Sequence, residues 1–142
     1  MTIKETAGKV LLYFYQLQRT APLAMPYRQL GFIDKKDKGV GLTSDKKWFA
    51  KDLLGINAAS SDIFNAFSFL RSKGYIKSNE RVGASAIIYV GIQLTGAGID
   101  IIEGIERDSD GRREFELAFN IGVESSEGVE GLIRGCLGSL TD

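Results

Sequence analysis

SSDIFNAFSFLRSKGYI, residues 60–76, is the stretch whose reading decides the fold. Ile63, Ala66, Phe67 and Leu70 recur at i, i+3, i+4 and i+7, which gathers them on one face of a helix. Ser60, Ser61 and Asp62 offer side-chain oxygens to the free N–H groups at its start, and Gly74 closes its end. From Tyr75 the period changes. Tyr75-Ile76-Lys77 opens a strand, the polar run SNERVGAS makes a hairpin tip, and AIIYVGIQL returns with β-branched and aromatic residues.

Upstream, Thr43-Ser44-Asp45 is a second capping cluster, after which Trp48, Phe49 and Leu53 share one face and Gly55 ends the helix. Two short helices joined by a turn make a helix-turn-helix. A first helix is expected from about Thr2 to Arg19, striped by Val10, Leu11, Phe14 and Leu17 and stopped by Pro22. Tyr13 and Tyr15 lie off the centre of that stripe and are candidates to meet a partner. Residues 21–42 are irregular, with Pro22, Pro26, a DKKDK cluster and a GVG run, and hold a short helix or strand around Tyr27 to Ile33. Downstream, Thr95 caps a helix striped by Ile99, Ile102 and Ile105. The order helix, helix, helix, strand, turn, strand, helix is that of a winged helix, so the expected class is α+β.

The run I-x-x-A-F-x-x-L-x-x-x-G-Y-I from Ile63 to Ile76, followed by a hairpin and Y-V-G-I-Q-L-T-G-A-G-I-D-I-I from Tyr89 to Ile102, resembles the winged helix-turn-helix superfamily of bacterial regulators. The join Leu94-Thr95-Gly96-Ala97-Gly98 looks like the "LT-x-x-G" junction of PadR-like and MarR-like regulators. The likeness spans roughly residues 44–105. It implies a bacterial or phage-type transcriptional regulator that binds duplex DNA through the helix at Ser60 and the wing. The turn between Gly55 and Ile63 is longer than the tightest pattern, and the outward positions Asp62, Asn65, Ser68 and Ser72 carry no cation before Arg71.

Formal net charge is zero, but residues 1–82 hold 14 Lys+Arg against 7 Asp+Glu and residues 83–142 hold 4 against 11. Such a split points either to nucleic-acid contact by the basic half or to attraction between the halves. Phosphates are bound by Lys and Arg, whereas base edges are read by Asn, Gln, Arg and Ser. The expected DNA-contacting set is Lys46, Lys47, Ser61, Asn65, Ser68, Arg71, Lys73, Lys77 and Arg81, with Asn65 and Ser68 as readers and the last two in the wing. Taken singly each lysine reads as a solvated surface charge; only the set around one helix argues for phosphate.

The C-terminal part is expected to be a strand and a helix appended to the winged helix, dividing the chain into residues 1–106 and 107–142. In REFELAFNIGVE, Phe115, Leu117, Phe119, Ile121 and Val123 alternate with polar or small residues, the pattern of a strand with one apolar face. Val129, Leu132, Ile133, Cys136, Leu137 and Leu140 then stripe a helix interrupted by Gly128, Gly131, Gly135 and Gly138, at about 1 kcal/mol of lost helix propensity each. Such a helix forms only when docked, on its own domain or on a second copy. Winged-helix regulators commonly pair to read two half-sites. The expected homodimer interface is therefore Phe115, Leu117, Phe119, Ile121, Leu132, Ile133, Cys136 and Leu137.

Catalysis is not expected. The chain has no histidine, which removes the commonest general base and most zinc sites. Cys136 sits on an apolar stripe, Asp100, Glu103 and Glu106 read as a solvated helix face, and GVGLTS and GIQLTGAG read as turns, the latter lacking the lysine of a phosphate loop. No cofactor or metal is expected. The start lacks the apolar core of a signal peptide, no apolar run reaches the ~20 residues of a membrane span, and the lone cysteine suits a reducing compartment, so the expected location is cytoplasmic, with no membrane partner. Two other functions stay open: an adaptor that keeps the fold and binds protein without DNA, with Phe64 and Phe69 as its exposed patch, and a regulator sensing a ligand among Tyr13, Tyr15, Trp48 and Tyr89.

Overall fold

The computed structural model describes residues 2–20, 29–33, 60–82, 86–124 and 128–137. The expected helix at residues 44–55, with Lys46, Lys47 and Trp48, lies outside them. Within them the protein is a mixed α and β structure with an antiparallel sheet.

The first helix, α1 (Ile3–Thr20), opens with a reciprocal cap: the Glu5 N–H donates to Thr2 Oγ1 at 3.1 Å and the Thr2 N–H to Glu5 Oε1 at 2.9 Å. Its apolar face buries Ala7, Val10, Leu11, Leu12, Phe14 and Tyr15. Tyr15 is thus part of the core, with its hydroxyl donating to Glu103 Oε2 at 3.0 Å, and Tyr13 is half-buried edge-on to Phe14. Tyr15 is therefore not the outward residue the sequence suggested. An off-stripe aromatic can still be interior when a helix is covered on more than one side, as α1 is.

Strand β1 (Gln29–Ile33) resolves the ambiguous stretch near Tyr27 in favour of a strand. Helix α2 (Ser60–Ser72) buries Ile63, Ala66, Phe67 and Leu70 completely. Phe64 and Phe69 are half-buried against the same core and do not form an exposed patch. The helix ends at Gly74, whose φ of +76° lets the Gly74 N–H reach the Arg71 carbonyl at 3.1 Å and the Tyr75 N–H the Leu70 carbonyl at 3.0 Å. The chain then runs into the hairpin of β2 (Ile76–Val82) and β3 (Ala86–Leu94). The sheet order is β1-β3-β2, with Gln29 opposite Val90 on one side of β3 and Ile76 opposite Leu94 on the other. A register irregularity between Lys77 and Asn79 interrupts the outer ladder.

Thr95 caps α3 (Gly96–Arg107), accepting from the Gly98 N–H at 3.2 Å, while its own N–H donates to the Tyr75 carbonyl at 3.0 Å and ties the start of α3 to the exit of α2. Ile101, Ile102 and Ile105 are buried and Ile99 half-buried.

The expected strand over residues 114–124 is instead a helix, α4 (Ser109–Phe119), followed by an extended segment. Asp108 accepts from the Gly111 N–H at 2.7 Å to start it, and Asn120 in the left-handed region ends it. The alternation misled because Phe115 and Phe119 are also i and i+4, the spacing of a helix face. Both are wholly buried, while Leu117 between them is 65% exposed. Gly111 lies directly on the backbone of Gly104, an approach of α3 and α4 that any side chain at Gly111 would block.

The last helix, α5 (Gly128–Leu137), buries Val129, Leu132 and Ile133. Glu106 Oε2 accepts from the Val129 N–H at 3.2 Å at its start, and Glu130 faces Arg19 of α1 at 3.5 Å. One hydrophobic cluster takes in residues of each described helix and of the hairpin, so residues on both sides of position 106 share a core. Phe119 packs on Tyr75 with ring centroids 5.7 Å apart.

Candidate nucleic-acid interface

Helix α2 has two unlike faces because its sequence does. The face holding Ile63, Ala66, Phe67 and Leu70 is sealed in the core, and Ser61, Asp62, Asn65 and Ser72 are exposed on the other side, with Ser68 half-buried between them. Ser61, Asn65, Ser68 and Ser72 stand at i, i+4, i+7 and i+11, a continuous small polar stripe. Of the two expected readers, Asn65 is open and Ser68 half-buried; Ser61, also in the expected set, is open. Lys73, just beyond the helix, and Lys77 and Arg81 on β2 are exposed as well. The structure therefore brings Ser61, Asn65, Ser68, Arg71, Lys73, Lys77 and Arg81 onto α2 and the strand that follows it.

Arg71 is the exception to free exposure. Its guanidinium sits 3.6 Å from Glu80 Oε1 on β2 and 4.9 Å from the centroid of the Tyr89 ring on β3. Tyr89 is itself packed on Phe67, with centroids 4.7 Å apart, and burial pushes its hydroxyl above the ordinary phenol range, with Glu80 adding to the effect. Lys73 lies 5.7 Å from the Phe69 ring. Sequence reading missed Glu80 and Tyr89 as companions of Arg71, because their facing depends on the register of β2 against β3. The signal in the sequence was the Asn79-Glu80-Arg81 alternation, which sets unlike charges on opposite faces of one strand.

Between α2 and β2 an open hollow of ≈ 470 Å³ is lined by Ser68, Arg71, Ser72, Ile76, Lys77 and Ser78. Ser72 Oγ donates to the Phe69 carbonyl at 2.8 Å.

The residues expected at a dimer interface are divided. Phe115, Phe119, Leu132 and Ile133 are inside their own chain's core; Ile121, Cys136 and Leu137 are half-buried, and Leu117 is exposed. Tyr13, Tyr15 and Tyr89 of the imagined ligand pocket are packing residues. Among the described residues no helix is long and apolar enough to cross a membrane. No protein-family model matches the chain, and no curated protein or solved structure matches it.

Proposed function

We propose that this chain is a winged helix-turn-helix protein that binds duplex DNA, acting in the cytoplasm as a transcriptional regulator of bacterial or phage type. The order α1, β1, α2, β2, β3 with sheet order β1-β3-β2 supports the winged-helix reading. In it α2 is the recognition helix and the β2–β3 hairpin the wing.

The observation that carries the functional reading is the small, polar, outward stripe of α2, with Arg71 at its end and Lys77 of the next strand beside it. A helix whose outward side chains are as short as Ser61, Asp62, Asn65 and the half-buried Ser68 suits a major groove, and an asparagine amide there can pair with an adenine edge. Arg71, Lys73, Lys77 and Arg81, with Lys46 and Lys47, are the phosphate contacts. If four to six phosphates are met, affinity falls with salt at a log–log slope of about −4 to −5.

The functional unit in this reading is a homodimer serving two half-sites. With Phe115, Phe119, Leu132 and Ile133 committed to their own core, pairing falls to outward residues such as Leu117.

A protein-binding adaptor without DNA is the second reading, favoured by the carboxylates: Asp62 stands exposed at the start of α2 and Glu80 already engages Arg71. Fluorescence anisotropy with random-sequence duplex at two salt concentrations decides between them. Binding at low salt that weakens steeply with added salt sustains the DNA reading. No binding at about 50 mM salt, or binding indifferent to salt, favours the adaptor.

A further inference from the structure

We propose that the hollow between α2 and β2 is a binding site for a phosphate group, gated in strength by Glu80. The inference goes beyond DNA binding, because a free phosphate or phosphomonoester fits its chemistry as well as a nucleic-acid backbone does. Two cations of different character border the hollow. Arg71 is held in place by the Tyr89 ring at 4.9 Å, so its planar fork arrives oriented, and Lys77 is exposed and free to swing. Ser68 lines the same walls with its hydroxyl, and Ser72, whose proton goes to the Phe69 carbonyl, and Ser78 line them as residues.

Ser78 gives the second, independent sign. Its hydroxyl oxygen is shut away from solvent yet has no hydrogen-bond partner among the described residues, beside the register irregularity of β2. Buried hydroxyls are rarely left without a partner. A rotamer change would turn this one toward the hollow, where a ligand oxygen would satisfy it.

The position is at the negative end of a helix, which by itself repels anions. That repulsion is blunted here. The carbonyls of Phe69, Leu70 and Arg71 accept from Lys73, Ser72, Tyr75 and Gly74. What remains against an anion is Glu80, 3.6 Å from the guanidinium. A tetrahedral phosphate, with four oxygens and up to two charges, makes use of two cations and the hydroxyls of Ser68 and the turned Ser78; a planar carboxylate uses only the guanidinium fork, for which Glu80 already competes.

The test is a titration of the full chain with inorganic phosphate at constant ionic strength, followed through backbone amide chemical shifts, with acetate as the control anion. Saturable shifts confined to the amides of Ser68, Arg71, Ser72, Lys77 and Ser78 are expected, with a dissociation constant on the order of millimolar for so open a site. Lys77→Gln should weaken binding at least about 3-fold, and Glu80→Gln should tighten it about 2- to 5-fold, by removing the competing charge. Arg134→Gln, which removes an exposed charge on α5, should leave it unchanged. Shifts that never saturate, that acetate reproduces, or that Lys77→Gln leaves intact overturn the site. Adding duplex DNA identifies the source of the group. Displacement of phosphate by duplex assigns the hollow to a backbone phosphate. Phosphate binding with no duplex binding assigns it to a free phosphate group and defeats the DNA reading while this one stands. Duplex binding that bypasses these amides, with no response to phosphate, does the reverse.

Discussion

A methyl group at Gly111 would run into the carbonyl of Gly104, whereas one at Gly74 would meet nothing within 4 Å and would only set a Cβ on a backbone at φ +76°. The two substitutions therefore fail differently. Gly111→Ala must push α3 and α4 apart and should cost about 1–3 kcal/mol, while Gly74→Ala should cost about 1 kcal/mol of local strain, each read as a lowered urea midpoint at unchanged slope. Tyr15 carries a different signature. Burial first, then its hydrogen bond to Glu103, pushes its hydroxyl up to about 12 from the ordinary 10.0. The folded chain thus keeps a proton that the unfolded chain gives up, so the stabilisation is whole below pH 10 and drains away as pH climbs toward 12. Urea midpoints should hold up to pH 10 and then drop, and Tyr15→Phe should make that drop shallower at a neutral-pH cost of about 1 kcal/mol. Tyr13, Tyr75 and Tyr89, also raised by burial, leave a remaining slope. None of this is legible in the sequence, where these tyrosines are only aromatics near a stripe.

At the scale of the element, α2, α3 and α5 are legible because each carries one unambiguous period and a start or stop residue; the hairpin is legible only in part, since Ser78 to Val82, read from their polarity as its tip, belong to strand β2. The segment 109–119 was not, because its apolar residues satisfy two periods at once and the decision rests on Asp108, a cap that the sequence shows only as one acid among many. Side-chain deletion separates the two structures. In a strand, Phe115, Leu117 and Phe119 would share a face and a fate. In the helix, Phe115→Ala and Phe119→Ala should each cost about 3–5 kcal/mol, while Leu117→Ala should stay within about 0.5 kcal/mol, as thermal or urea unfolding will show. The outward placement of Ser61 and Asn65 on α2 could be read from helical spacing alone. The Arg71–Glu80 pairing could not, since it joins a helix to a strand whose register is set by a hairpin.

For the molecule as a whole, the split in charge noticed along the sequence is partly spent internally. Arg19 of the basic half faces Glu130 of the acidic half at 3.5 Å, and Glu106 caps α5. Both contacts fasten α5 to helices of the same chain. Arg19→Gln should therefore change stability by less than about 1 kcal/mol, for a pair this exposed, and leave any salt-dependent DNA affinity unaltered. Equilibrium sedimentation gauges the proposed pairing: twice the single-chain mass is the expected result, and Leu117→Glu should halve it without unfolding the chain. The arrangement of the sheet has a further effect, on timing. β3 lies in the middle yet is the last of the three strands to be made, so during synthesis β1 must wait, unpaired, until Val90 and its neighbours leave the ribosome. Among the described residues, a nascent chain halted before residue 86 lacks the strand that pairs with β1 and β2, and closing so long a loop carries an entropic barrier that local helices do not face. Refolding should accordingly show helix signal first and sheet protection late, and chains stalled in that interval are the ones in which two unpaired strand edges are free to find a neighbour's.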